Sequence, residues 1–129
     1  MASWRDELTE AWASKIGPAV FATVDPAGEP NVVYVTWVKW HGAHLLIADN
    51  YFDKTRKNIL SGSRGALVFL TKKGGAYQVK GALEYHTEGA VYEDMKEWLP
   101  DPQRHPGHAA VVLQIEEVYS NFYGAQRIH

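Results

Sequence analysis

The sequence predicts a mainly β chain, a six-stranded antiparallel barrel with flanking helices. Three observations carry this expectation. Six runs dense in β-branched and aromatic residues are separated by clusters of Gly, Pro, Asn and Asp. Two other stretches, residues 3–14 and 89–99, space their apolar residues at the helical period instead. The strand runs do not alternate one for one with helices, so the βαβ order of a parallel sheet is absent.

Taken in order, Ser3 to Ser14 carries Leu8, Ala11 and Trp12 on one face. Ser3 stands three residues before Asp6 as a capping pair, and Gly17-Pro18 is the expected stop. Ala19 to Val24 reads as the first strand and Asp25 to Pro30 as a turn. Val32 to Trp40 reads as the second strand, joined through His41-Gly42 to a third at His44 to Ala48. These three are expected to form a meander. Asp53 occupies an N-cap position ahead of a helix ending near Gly62. Gly65 to Thr71 is the fourth strand, and Lys72 to Gly75 turns into a long fifth, Ala76 to Glu88, with a bend or bulge expected near Gly81. In the next helix Val91, Met95, Trp98 and Leu99 share a face, and Pro100 ends it. A loop from Asp101 to Gly107 precedes the last strand, His108 to Tyr119, and no element is expected from Ser120 onward.

At 129 residues a single domain spanning 1–129 is expected. Hydrophobic residues at 46%, charged residues at 22% and a net charge of −2 argue against a nucleic-acid partner, which needs a basic face. The absence of cysteine excludes disulfides, Cys-ligated zinc and thiol catalysis. The longest apolar runs, about six residues, fall far short of the roughly 20 that span a bilayer, and no apolar signal core opens the chain. No membrane partner and a cytoplasmic location are therefore expected.

One stretch breaks a rule. Lys54, Arg56 and Lys57 crowd the first turn of the helix after Asp53, where each exposed cation opposes the helix dipole by roughly 0.3 to 1 kcal/mol. A bound anion reverses that sign, because backbone N–H groups, the Thr55 hydroxyl and the cations would all face it. Solvated lysines on a surface helix are the plain alternative.

The order of several weak motifs carries a resemblance. Thr36-Trp37-Val38-Lys39 ends one strand, a hairpin follows, and the next strand runs into Asn50-Tyr51. Then come Lys54-x-x-Lys57-Asn58, the strand from Ala66 to Leu70, and Gln78-Val79-Lys80. Over roughly Ala19 to Tyr119 the chain resembles the FMN-binding split barrel superfamily, the pyridoxamine 5'-phosphate oxidase-like proteins, in its small stand-alone form. The resemblance implies a split barrel, FMN as cofactor, and a homodimer with flavin in grooves built by both chains. It implies phosphate contacts at Lys54 and Thr55 with Lys57 nearby, and backbone of Asp49, Asn50 and Tyr51 along the ribityl chain and phosphate. Val33, Tyr34, Val35 and Thr36 would offer main-chain groups to the ring edge, and Gln78 would face the flavin. Lys39 matches a lysine on the oxidases' substrate side.

The departures are equally specific. Tyr34 stands where the oxidases place a phosphate-binding arginine, and their Tyr, Arg and Ser set for the substrate's phosphate has no counterpart, so pyridoxamine-phosphate oxidation is not expected. Small relatives cover the partner's flavin with a tryptophan that falls near Pro106 here; Trp98, His105 and His108 are the substitutes. The expected activity is a flavin-dependent oxidoreductase or electron carrier acting on a substrate or redox partner. A non-enzymatic flavin module, or a split barrel using deazaflavin or haem, is the alternative, with His105 or His108 as haem ligand. No metal site is expected: His41-x-x-His44 and His105-x-x-His108 lie on turns that force neither pair to one point. No G-x-S-x-G elbow, Walker loop or G-x-G-x-x-G is present. With five tryptophans and seven tyrosines, Trp37 and Trp40 are assigned to packing ahead of flavin stacking.

Overall fold

A computed structural model describes residues 3–129. Helix α1 (Trp4–Ala13) starts with a complete capping box, Ser3 and Asp6 each bonding the other's backbone N–H. It buries Leu8 and Ala11, and it stops at Ser14 rather than at Gly17-Pro18. Those two residues lie inside strand β1 (Lys15–Val24), where its register against β5 (Gly65–Thr71) shifts between Ile16 and Val20. A bulge absorbs them, as Gly and Pro in a strand require.

The remaining elements are β2 (Pro30–Val35), β3 (Val38–His41), β4 (His44–Asp49), α2 (Lys54–Leu60), β6 (Ala76–Gly81), β7 (Leu83–His86), α3 (Ala90–Trp98), β8 (Ala109–Leu113), β9 (Glu117–Asn121) and β10 (Ala125–Arg127). They form two antiparallel sheets. One has six strands in the order β10-β9-β6-β5-β1-β2, and the other has four in the order β3-β4-β8-β7. The six runs read from sequence are present, but three of them turn from one sheet into the other, at Thr36-Trp37, at Ala82 and at 114–116. That crossing makes the barrel a split one, as the resemblance implied.

The expected meander is corrected by this. β2 pairs with β1 and β3 pairs with β4, but β2 and β3 belong to different sheets. Val38 N donates to the Thr36 carbonyl at 3.1 Å, and Ala48 N donates to the Trp37 carbonyl at 3.0 Å, which fixes the corner. The tail is likewise more ordered than expected, since β10 folds back on β9. The bend expected near Gly81 is present. A Cβ there would sit 1.6 Å from the Gln114 carbonyl oxygen, so only glycine lets the second and third crossings pass. Gln114 N to Ala82 O at 2.9 Å and Glu116 N to Lys80 O at 3.0 Å bind those crossings together.

Phe21, Leu45, Ile47, Leu67, Phe69, Val79, Val111, Leu113 and Val118 fill the barrel interior. On the other face of the four-stranded sheet, Leu46, Ala48 and Ala110 meet Met95 and Leu99 beneath α3. Strands β4 and β8 are thus covered on both faces, which is why they read as continuous apolar runs. Among the described residues, no helix is long and apolar enough to cross a membrane.

Candidate functional site

Because β2 ends its sheet, alternate residues along it aim backbone N–H and C=O groups away from β1 with no strand to receive them. A groove of about 810 Å³ lies beside that edge. Its floor and walls come from Val33 to Trp37, Ala48, Asn50 to Phe52, and Gln103 to His105. Such a volume is in the upper range for single small-molecule sites.

The groove owes its shape to the turn after β4. Asp49 is wholly buried, and its carboxylate accepts four hydrogen bonds: Arg56 Nε at 2.7 Å, Arg56 Nη2 at 3.0 Å, Phe52 N at 3.0 Å and Tyr85 Oη at 2.6 Å. A buried carboxylate needs this degree of satisfaction. The hydrogen bonds that Arg56 donates to Asp49 hold its guanidinium well above its ordinary pKa. Burial, then the Asp49 hydrogen bond, pushes the Tyr85 phenol up to about 12.

The loop from Asp101 to Gly107 forms the opposite wall and is fastened to the same turn. Tyr51 Oη donates to the Arg104 carbonyl at 2.6 Å, Gly107 N donates to Asn50 Oδ1 at 2.9 Å, and His108 N donates to the Asp49 carbonyl at 2.8 Å. Within the wall, the Trp37 ring lies 4.8 Å from the His105 ring and 5.5 Å from Trp98, which meets it edge-on.

The structure gathers Val33, Tyr34, Val35, Thr36, Asn50, Tyr51 and His105 into one lining. Asp49 lies behind it, and Trp98 backs Trp37 without lining the groove. Lys54, Thr55 and Lys57 are outside the lining, on the helix that begins two residues beyond Phe52. Thr55 is only 1% exposed and accepts from Asn31 Nδ2 at 3.0 Å, whereas Lys57 is exposed and pairs with Asp53 at 3.5 Å. Asp53 holds the N-cap position but makes no side-chain cap bond. Of the three cations in that first turn, Arg56 is turned inward onto Asp49, so the dipole conflict read from sequence is smaller by one charge. Gln78 lies on the outer face of the six-stranded sheet, in a cross-strand row with Tyr34, Val20, Val68 and Tyr119.

Sequence reasoning missed Gln103, Arg104, Ala48 and Phe52 as lining residues, and for Trp37 it put packing ahead of flavin stacking. Only the corner at Thr36-Trp37 turns that indole toward the groove. No group of three or more His, Asp or Glu side chains suited to a metal occurs among the described residues. Lys39 pairs with Asp94 at 2.9 Å and sits over Trp98, away from the groove lining.

Two crossed antiparallel sheets, an open-edged groove and a polar turn leading into a short helix define a split barrel. Residues 6–122 match the family described as pyridoxamine 5'-phosphate oxidase, and the chain belongs to this family of FMN-binding split barrels. An uncharacterized protein of Methanocaldococcus jannaschii is 37% identical over 122 residues, covering 88% of this chain and 80% of that one. The crystal structure of HupZ from Group A Streptococcus is 25% identical with a TM-score of 0.79, covering 98% of each chain. An FMN-binding protein from Syntrophomonas wolfei has the same fold, with a TM-score of 0.71 at 20% identity over 90% of this chain and 82% of that one.

Proposed function

We propose that this chain is a homodimeric FMN-binding protein acting as a flavin-dependent oxidoreductase or electron carrier, and not as a pyridoxamine-phosphate oxidase. The groove beside β2 carries the reading, because its donor set fits a flat, amphipathic anion. Main-chain groups line one edge, Val33, Val35, Trp37 and Phe52 supply apolar surface, and no carboxylate lines it. Val33 to Thr36 would meet the polar edge of the ring, Asn50 and Tyr51 the ribityl chain, and Lys54, Thr55 and Lys57 the phosphate. On the outer side lie Trp37 and His105, with Trp98 behind Trp37 and out of the lining. Bound FMN supplies the transfer of hydride or single electrons. The protein's part is to orient it, exclude water and tune its potential.

The outer face of the six-stranded sheet supports the homodimer. Val32 is 60% exposed, Tyr34 76% and Leu70 52%, and such contiguous apolar sheet surface is the mark of an interaction face. Gln78 shares this face with Tyr34, so a second copy packed there would put it at the subunit interface.

The visible spectrum of the purified protein with added FMN tests the reading. Flavin bands and quenched flavin fluorescence are expected, and oxidation of NAD(P)H with a dye or ferric acceptor separates an enzyme from a binding module. A colourless chain that leaves added FMN fluorescence unchanged overturns it. A second reading, haem in the same groove, is favoured by the His105 ring beside Trp37; a Soret band would support it.

A further inference from the structure

Arg104 is the one arginine or lysine lining the groove, and its guanidinium has no hydrogen bond or ion pair among the described residues. The loop around it is nonetheless well held. Asp101 Oδ1 accepts from Gln103 N at 3.0 Å, the Asp101 carbonyl accepts from His105 N at 2.7 Å, and Lys96 Nζ donates to the Pro106 carbonyl at 2.6 Å. With the bonds from Tyr51 and Asn50 and the His108 N–H to Asp49, every one of these contacts uses the backbone of residues 101–108. The side chains of Gln103 and Arg104 take part in none of them, and both residues, exposed to solvent, line the groove.

The nearby carboxylates are committed elsewhere: Asp49 to Arg56, Asp53 to Lys57, and Asp101 to its own loop. An unpaired guanidinium on a pre-shaped loop is a ready receptor for a carboxylate, whose two oxygens match its fork. Beside it, the Trp37 and His105 rings offer an aromatic wall.

We propose that the Arg104 end of the groove receives a second ligand, a planar conjugated carboxylate, laid against Trp37 and His105 and held by the Arg104 guanidinium. The proposal rests on the flavin reading of the groove only in making this ligand the flavin's reaction partner; the charge recognition stands without it. The FMN phosphate is assigned to Lys54 and Thr55, at the start of α2, which leaves Arg104 free for this role.

Quenching of tryptophan fluorescence by 2-naphthoate and by its uncharged amide tests the proposal, on the chain alone and on the chain after addition of FMN. The acid is expected to bind about 10- to 100-fold tighter than the amide, the range for a hydrogen bond to a charged group. Arg104→Gln should abolish that preference, Arg104→Lys should restore part of it, and any change in cofactor affinity should be equal for FMN and riboflavin. The loop's bonds run through the Arg104 carbonyl, so these variants keep the fold, checked by their thermal midpoint. Equal binding of acid and amide by the wild-type chain overturns the proposal. A loss of affinity in Arg104→Gln for FMN but not for riboflavin also overturns it, by assigning the guanidinium to the cofactor's phosphate. Failure of FMN itself to bind, with the acid still preferred over the amide, would sink the flavin reading and leave the carboxylate site standing.

Discussion

Replacing Asp49 by Asn tests the claim that one buried carboxylate builds the groove's turn. The two Asp49 oxygens accept two bonds each, Oδ1 from Phe52 N and Arg56 Nη2, Oδ2 from Arg56 Nε and Tyr85 Oη. An amide keeps one acceptor oxygen and turns an NH₂ toward the other pair of donors. With its NH₂ toward Phe52 N and Arg56 Nη2, two bonds are lost and donor faces donor. With its NH₂ toward Arg56 Nε and Tyr85 Oη, the phenol can turn to accept from it, and the loss is the bond to Arg56 Nε together with the ion pair. Arg56 is one-third exposed and regains water in part, but the Tyr85 hydroxyl and the Phe52 amide are less free to do so. Breaking a buried pair by removing one partner costs about 3–5 kcal/mol, a large share of the roughly 5–15 kcal/mol that holds a domain folded. Urea unfolding followed by tryptophan fluorescence is the assay, with Asp49→Asn, Arg56→Gln and the double variant. In the double variant the second change should add much less than it does alone, since the charge it would orphan is already gone. A loss below about 1 kcal/mol for Asp49→Asn, or strict additivity in the cycle, would refute the assignment.

Other outcomes follow from the same geometry. Lys54→Ala should weaken FMN by about tenfold, as the loss of one charge-assisted phosphate contact implies, and leave riboflavin unaffected in fluorescence titrations; an equal loss for both would move the phosphate elsewhere. Gly81→Ala should fail to fold or lose most of its stability, because its Cβ meets the Gln114 carbonyl; soluble protein with a wild-type thermal midpoint would contradict that crossing. Tyr77 and Tyr85 are each pushed up to about 12, Tyr77 by burial and its bond to Glu7. Their folded values lie above the unfolded value of 10, so their stabilisation is complete below pH 10 and lost as pH rises from 10 through 12. The thermal midpoint should fall across that window, and absorbance near 295 nm should show late-titrating phenols, one fewer in Tyr85→Phe. Glu84 is held below the usual carboxylate range, chiefly by its hydrogen bond with His86. Its contribution is present above the ordinary carboxylate pKa and lost as pH falls through the lowered folded value, so His86→Ala should flatten the acid limb of the stability profile.

The sequence by itself determined the order of the helices and of the six strand runs, though not β10 in the tail, because each run carries its own β-branched density and each turn its own Gly, Pro or Asp. It also determined the family, through the spacing from Thr36 to Gln78, and the position of the capping box at Ser3. It did not determine where a strand leaves one sheet for the other. Val32 to Trp40 reads as one strand because local propensity is satisfied on both sides of Thr36-Trp37, and only pairing with β1 before the corner and β4 after it decides the break. The groove follows from that corner, so Trp37 is legible as an aromatic in the sequence and as a wall only in the fold. Arg56 shows the same division. Its charge and helix position are written in the chain, but a partner seven residues away, buried at the end of β4, turns it from a candidate anion ligand into the clamp on Asp49. Arg104 is the converse, an ordinary loop residue until tertiary contacts fix its backbone and leave its guanidinium unpaired at the groove.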